Sequence, residues 1–162
     1  MIKGFEPLGS KDANILILGS MPSVASLSKQ EYYAHPQNRF WKLLAAIYDT
    51  ELVHYESKVA CLQEQQLILW DVIAECERDG SLDSKIKKVS QNELISFLQQ
   101  NSNIQKIILN GQKAGKEYQK RYGAMITIPA AILPSTSPAN ASCSFEQLLA
   151  VWKEALTLPI ST

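Results

Sequence analysis

The run Tyr32-Tyr33-Ala34-His35-Pro36-Gln37-Asn38-Arg39-Phe40-Trp41 places two tyrosines, a histidine, a backbone-fixing proline and an asparagine ahead of an apolar aromatic pair. A tyrosine ring can stack on a flat aromatic ligand. Imidazole and amide groups can hydrogen-bond such a ligand's edge or hold a water. Residue type alone also allows Tyr33, His35 and Asn38 ordinary turn and helix-cap roles. Phe40 and Trp41 read as anchors in the core.

Two further segments have the composition of a binding loop. Gly19-Ser20-Met21-Pro22-Ser23 is small enough for a close backbone approach to a ligand or anion, and equally suits a plain turn. It lacks both the Gly-Lys-[Ser/Thr] of a Walker loop and the Gly-x-Gly-x-x-Gly dinucleotide fingerprint. Pro134-Ser135-Thr136-Ser137-Pro138-Ala139-Asn140 offers three hydroxyls within a Pro/Ser turn.

These segments follow short apolar runs that alternate with helical patterns, the signature of an α/β layered domain. Asn14–Leu18, Leu67–Trp70, Lys106–Asn110 and Ala130–Leu133 read as strands of a mainly parallel sheet, because strands covered on both faces are apolar throughout. A weaker strand is expected at Ala124–Ile128. Helices are expected over Arg39–Tyr48 behind Asn38, and over Asn92–Gln100, Gln112–Tyr122 and Phe145–Leu156, the last capped by Ser144. Ligands of open α/β sheets bind beyond the carboxyl ends of the strands, where the three candidate segments fall. The polar stretch Glu75–Gln91 reads as one long loop, a length that is commonly functional.

With 162 residues, 46% hydrophobic and 20% charged, the chain fits one folded domain over residues 1–162. No apolar leader or bilayer-length apolar window is present, which points to a cytoplasmic protein. Three scattered cysteines and two histidines lack disulfide or zinc spacing, and an all-cysteine iron–sulfur cluster needs four thiolates. Sixteen basic residues balance sixteen acidic ones, so nucleic-acid binding would depend on a local basic surface. Lys113, Lys116, Lys120 and Arg121, with Lys85, Lys87 and Lys88, are candidate phosphate partners or a plain solvated face.

The Gly19–Ser23 loop followed by Tyr32 to Lys42 resembles the first motif region of the uracil-DNA glycosylase superfamily. Its mismatch-specific uracil and thymine members carry a Gly-x-x-Pro-Gly loop, then an aromatic residue and a His-Pro-x-Asn-Arg-Phe-Trp run. The closer resemblance is to the hypoxanthine-DNA glycosylase branch, also called DNA-deoxyinosine glycosylase. It rests on Gly4-Phe5-Glu6-Pro7, the Gly-Ser-Met-Pro-Ser form of the loop, the stretch from Leu69 to Ser84, Leu109-Asn110-Gly111 and Leu133 to Ala139, and spans Gly4 to about Trp152.

The resemblance implies a single three-layer α/β/α domain and a monofunctional enzyme, acting as a monomer on DNA without cofactor, metal or iron–sulfur cluster. Such an enzyme hydrolyses the N-glycosidic bond of an extruded deaminated base, hypoxanthine first. The first-motif Asp or Asn of many members is replaced by Ser20 and Met21, and in this branch catalysis is assigned to the asparagine that maps onto Asn38, where its amide would orient water. His35 would contact the leaving base or hold the loop. Tyr33 would stack on the base, while Asn110 and the backbone of Gly19, Ser20, Met21, Pro22 and Ser23 would complete its pocket. Ser135, Thr136 and Ser137 would donate to phosphates, with Lys113 nearby, and Pro138-Ala139 would form a small wedge. A uracil or mismatch enzyme of the same superfamily, a non-catalytic nucleotide- or damaged-DNA-binding module, and a hydrolase of free nucleosides are the competing readings.

Overall fold

The computed structural model describes residues 1–157. In chain order the elements are β1 (Ile2–Lys3), β2 (Leu8–Gly9), β3 (Ile15–Gly19), α1 (Val24–Lys29), α2 (Phe40–Ile47), α3 (Tyr55–Glu64), β4 (Leu67–Asp71) and β5 (Ile73–Glu77). They continue with β6 (Lys87–Gln91), α4 (Leu94–Gln100), β7 (Lys106–Asn110), α5 (Gln112–Tyr122), β8 (Ala130–Leu133) and α6 (Phe145–Leu156).

The main sheet has the order β2-β4-β3-β7-β8, parallel except for the edge strand β2. Side chains alternate across it, so Ile15 and Ile17 of β3 face one core and Leu16 and Leu18 the other. The first core is closed by α2, α3 and α6 through Phe40, Leu62 and Trp152, the second by α4 and α5 through Phe97 and Tyr118. The result is the expected α/β/α layering.

The terminal helix is fastened by a capping box. The Ser144 hydroxyl accepts from the Gln147 amide at 3.2 Å, and the Gln147 side chain accepts from the Ser144 amide at 3.0 Å.

Two expectations fail. Ala124–Ile128 forms no strand, because the amides of Met125 and Ile126 both turn back to the Tyr122 carbonyl, at 2.9 and 3.0 Å. Ile126 and Ile128 instead pack against the second core. The supposed long loop at Glu75–Gln91 contains most of β5 and all of β6, an antiparallel pair that forms a second sheet with β1. Its apolar positions Ile73, Cys76, Ile86 and Val89 gather with Met21 in a small third cluster, and register shifts within the pair break the simple alternation that would announce strands.

Candidate active site

The connection leaving β3 runs to α2 and α3 on one face of the sheet, while that leaving β7 runs to α5 on the other. Loops diverging from adjacent parallel strands open a crevice between them. Here it is a cleft of about 1340 Å³, and it is lined by Gly19 to Ser23, Tyr33, His35, Asn38, Asn110, Lys113 and Ser135 to Ala139. The structure thus brings the residues expected for the base pocket, for catalysis and for the second loop to one place with Lys113 and Lys116, whereas Lys85, Lys87, Lys88, Lys120 and Arg121 do not line the cleft. It gives several of them work that residue type did not reveal.

The first-motif loop is held by its carbonyls. Those of Gly19 and Ser20 accept from the amides of Val72 and Ile73 at 2.9 and 3.2 Å, and that of Pro22 accepts from the buried guanidinium of Arg78. The Ser20 hydroxyl donates to Asp83 Oδ1 at 2.7 Å, and Ser23 caps α1 by accepting the Ser26 amide at 3.1 Å. Met21 is buried in the small third cluster. The carbonyls of Gly19, Ser20 and Pro22 and the hydroxyls of Ser20 and Ser23 are thus engaged within the protein.

Glycine is required at position 19. A Cβ there would lie 2.6 Å from Asp71 Oδ1 and 3.1 Å from the Tyr33 hydroxyl, so two polar groups close over the loop where it has no side chain. Asp71 is set there by register, since β3 and β4 are parallel with Gly19 opposite Asp71. Only 4% exposed, the Asp71 carboxyl has no hydrogen-bond partner for Oδ2, and the Tyr33 hydroxyl has none either. Burial, and secondarily the charge of Asp83, push the Asp71 carboxyl up to about 7 against the opposing pull of Arg78. It is therefore a group that can be a neutral acid near neutral pH.

Tyr33 adopts a left-handed φ of 54°, a strained value for a bulky residue. One face of its ring stacks on Phe40, with centroids 4.2 Å apart and planes 29° from parallel. Burial, then the nearby Asp71 charge, raise its hydroxyl well above the ordinary tyrosine range while Asn110 opposes the rise, so it stays protonated.

Asn38 is not the N-cap expected of it: Arg39 holds that position, and Asn38 Oδ1, one residue earlier, accepts the Phe40 amide at 2.9 Å. A carbonyl oxygen has a second lone pair, and Asn38 lines the cleft, so this bond leaves it able to accept from a water. His35 Nδ1 accepts the Gln37 amide at 3.1 Å, which fixes the imidazole to its own turn and leaves Nε2 for a ligand.

The second loop is tied to the first through Arg39, whose guanidinium donates to the carbonyls of Cys143 at 2.6 Å and Asn140 at 2.9 Å. Thr136 corrects the expectation of a phosphate donor. It is 0% exposed, because its amide and hydroxyl face the two polar atoms of the Asn110 side chain, each at 3.0 Å. Asn110 is correspondingly a brace in the cleft wall. Ser135 and Ser137 remain at the cleft, their hydroxyls accepting the amides of Ser137 and Ala139 at 3.1 and 3.2 Å. Lys113 is paired with Glu117 at 3.0 Å, whereas Lys116 lines the cleft exposed and without an ion pair among the described residues.

Asp71, Asp83 and Leu82 are cleft residues that the sequence reading does not single out. The available signal is the acid that ends the apolar run Leu67-Ile68-Leu69-Trp70, at the carboxyl end of a strand where ligands bind. Among the described residues no group of three or more His, Cys, Asp or Glu could hold a metal ion, and no helix is long and apolar enough to cross a membrane.

The profile of the Uracil DNA glycosylase superfamily matches residues 6–156. A protein named hypoxanthine DNA glycosylase from Methanosarcina barkeri is 36% identical over 155 residues, covering 94% of this chain and 96% of its own length. A protein of the same name from Methanosarcina acetivorans is 38% identical over 143 residues, covering 86% and 89%. A solution NMR structure of a candidate uracil DNA glycosylase from Methanosarcina acetivorans superimposes with a TM-score of 0.83 at 34% identity, covering 95% of each chain.

Proposed function

Because the chain belongs to the uracil DNA glycosylase superfamily and is a DNA glycosylase, we propose that the base it removes is hypoxanthine, released from deoxyinosine by hydrolysis. The observation that carries this reading is the buried, unpartnered carboxyl of Asp71 beside the first-motif loop. In its neutral form it offers one donor and one acceptor, the complement of the O6 and N1–H edge of hypoxanthine. The loop amides supply further donors for O6. A donor wall accepts that oxygen and disfavours the amino group that adenine carries at the same position. The two relatives named hypoxanthine DNA glycosylase support the choice of a purine. Uracil presents the same pattern at O4 and N3–H and is the second reading, in keeping with the superfamily's name.

In the reaction a water oxygen bonds to the sugar C1′ while the bond from C1′ to the base nitrogen breaks. The electron pair leaves with the base, and the water's proton passes to the departing base or to solvent. Asn38 holds the water through Oδ1 and has no useful basicity of its own, so its contribution is orientation. The bond breaks with positive charge growing on the sugar and negative charge spreading to O6, where fixed loop amides stabilise it without reorganising. Tyr33, braced from behind by Phe40, provides an aromatic wall for the extruded base.

The test is base release from otherwise identical duplexes carrying inosine, uracil or xanthine. Hypoxanthine release should be fastest. Abasic sites formed from uracil but not from inosine would overturn the substrate assignment, and DNA binding without any abasic site would point to a non-catalytic module.

A further inference from the structure

Arg78 is a buried cation to which the chemistry above gives no role. It follows β5 directly and is only 8% exposed. One guanidinium nitrogen donates to the Pro22 carbonyl in the first-motif loop, while Nε and Nη1 are buried without an acceptor. No carboxylate among the described residues lies within ion-pair distance of it. Arginine stays charged in a protein, and a buried charge without a paired acid is costly to fold. A neutral amide would satisfy one carbonyl at far smaller cost, so holding Pro22 does not account for the charge.

What lies across the loop does. The segment from Asp71 to Arg78 runs along the carbonyl side of the first-motif loop. Its Val72 and Ile73 amides donate to the carbonyls of Gly19 and Ser20, and Arg78 takes that of Pro22. At the other end of the segment the Asp71 carboxyl closes over the loop, with Oδ1 2.6 Å from where a Gly19 Cβ would stand. The titratable groups that face this carboxyl are Asp83 from the turn before β6, Arg78 after β5, and the hydroxyls of Tyr32 and Tyr33 from the segment before α2. Both tyrosines stay protonated, so Arg78 is the one cation in a group with two acids. It pulls the Asp71 carboxyl down while burial and Asp83 push it up.

We propose that Arg78 is an electrostatic positioning residue for the base pocket, a cation behind the first-motif loop that offsets the negative charge of ionised Asp71 or of the departing base. Its charge acts through buried protein, where water screens it little, and needs no contact with the substrate. The proposal rests on the reading of the chain as a glycosylase whose target base lies beside Asp71.

The experiment compares wild type with Arg78→Met, which removes the charge at similar length, and Arg78→Lys, which keeps it. Single-turnover base release is measured at saturating inosine duplex and mildly acid pH, where Asp71 is neutral in every variant. The Asp71 carboxyl is titrated separately, in the protein without DNA, by the NMR signal of its carboxyl carbon. Arg78→Met should release hypoxanthine about tenfold more slowly, a smaller loss than that of a direct oxyanion donor. Its Asp71 titration should move upward by about one pH unit, because the cation that favours the carboxylate is gone. Duplex affinity and its salt dependence should stay as in wild type, since Arg78 is buried and does not line the cleft. Arg78→Lys should keep the Asp71 titration near that of wild type and recover most of the rate. The proposal is overturned if the titration in Arg78→Met is unmoved or falls, if release at saturation is unchanged, or if Arg78→Lys is as slow as Arg78→Met. A loss confined to affinity, with the salt slope lowered by about 1, would make Arg78 a phosphate partner and overturn it equally. Should Arg78→Met fail to fold, Arg78→Gln, which keeps a donor for Pro22, replaces it; failure of both would make the guanidinium a folding element and overturn the proposal. A wild type that releases only uracil, or no base, while the Asp71 titration still moves in Arg78→Met, would refute the proposed function and uphold the charge balance between Arg78 and Asp71.

Discussion

Asp71→Asn exchanges the buried carboxyl for an amide of nearly the same shape that keeps a donor and an acceptor but cannot ionise. In the folded protein the carboxyl is raised from 3.8 to about 7, by burial first and by Asp83 next, with Arg78 opposing. At about 1.36 kcal/mol per pH unit this rise corresponds to a stability penalty on the order of 4 kcal/mol once the group is ionised. The sign follows from the direction. The penalty is absent below the unfolded value near pH 3.8, grows as pH climbs toward about 7, and is constant above that. An unpartnered buried amide carries a desolvation penalty of about 1–3 kcal/mol, but it does not vary with pH. Urea unfolding should therefore show Asp71→Asn gaining on wild type by roughly 2–3 kcal/mol between about pH 5 and about pH 8.5. Single-turnover hypoxanthine release should fall about tenfold per pH unit above about pH 7 in wild type and stay level in the variant. An alkaline fall that persists in Asp71→Asn, or a stability difference independent of pH, would refute the assignment of a neutral edge-reading acid. Collapse of the variant's activity at every pH would instead make the carboxylate a base acting on water.

Asn38→Ala should lose about 1 kcal/mol of stability with its hydrogen bond from the Phe40 amide and at least about 100-fold in single-turnover release, whereas Asn38→Ser should recover the stability in urea unfolding without the rate; recovery of both would reduce Asn38 to a support of its turn. Lys116→Ala should lower the slope of log affinity for DNA against log salt by about 1, and Lys113→Ala by less because Glu117 already neutralises it. Equal slopes for the two variants would show that the ion pair opens when DNA binds.

Locally encoded features were legible in the sequence. β8 and α6 coincide with the segments read from apolar runs, caps and periodicity, and β3, β4 and α2 differ only by a residue or so at their ends. The helices that escaped the reading are those without a usable stripe. Along α3 only Cys61 and Leu62 are buried, and α1 has Ser26 as its one buried residue, so neither shows the recurrence that marks a helix against a core. The β5–β6 pair escaped because its shifted register spoils the two-residue period.

The site divides along the same line. Tyr33, His35 and Asn38 sit close together in the chain and were visible as a group, whereas the partners of the first-motif loop, Asp71 against Gly19 and Asp83 on Ser20, come from β4 and from the turn before β6. An aspartate after Leu67-Ile68-Leu69-Trp70 reads locally as the polar end of a strand. Its meaning depends on the parallel pairing that sets it across from Gly19, and on burial that removes the water an exposed carboxylate would keep. Thr136 shows the converse. In sequence it is one hydroxyl of three in a loop, and only the facing amide of Asn110, carried on β7, turns it inward and away from any phosphate. The loop after β8 can present Ser135 and Ser137 at the cleft because Thr136 between them is locked to the wall. Hydroxyl count alone therefore overestimates its capacity to bind a strand, and the Asn110–Thr136 brace belongs to the positioning of that loop.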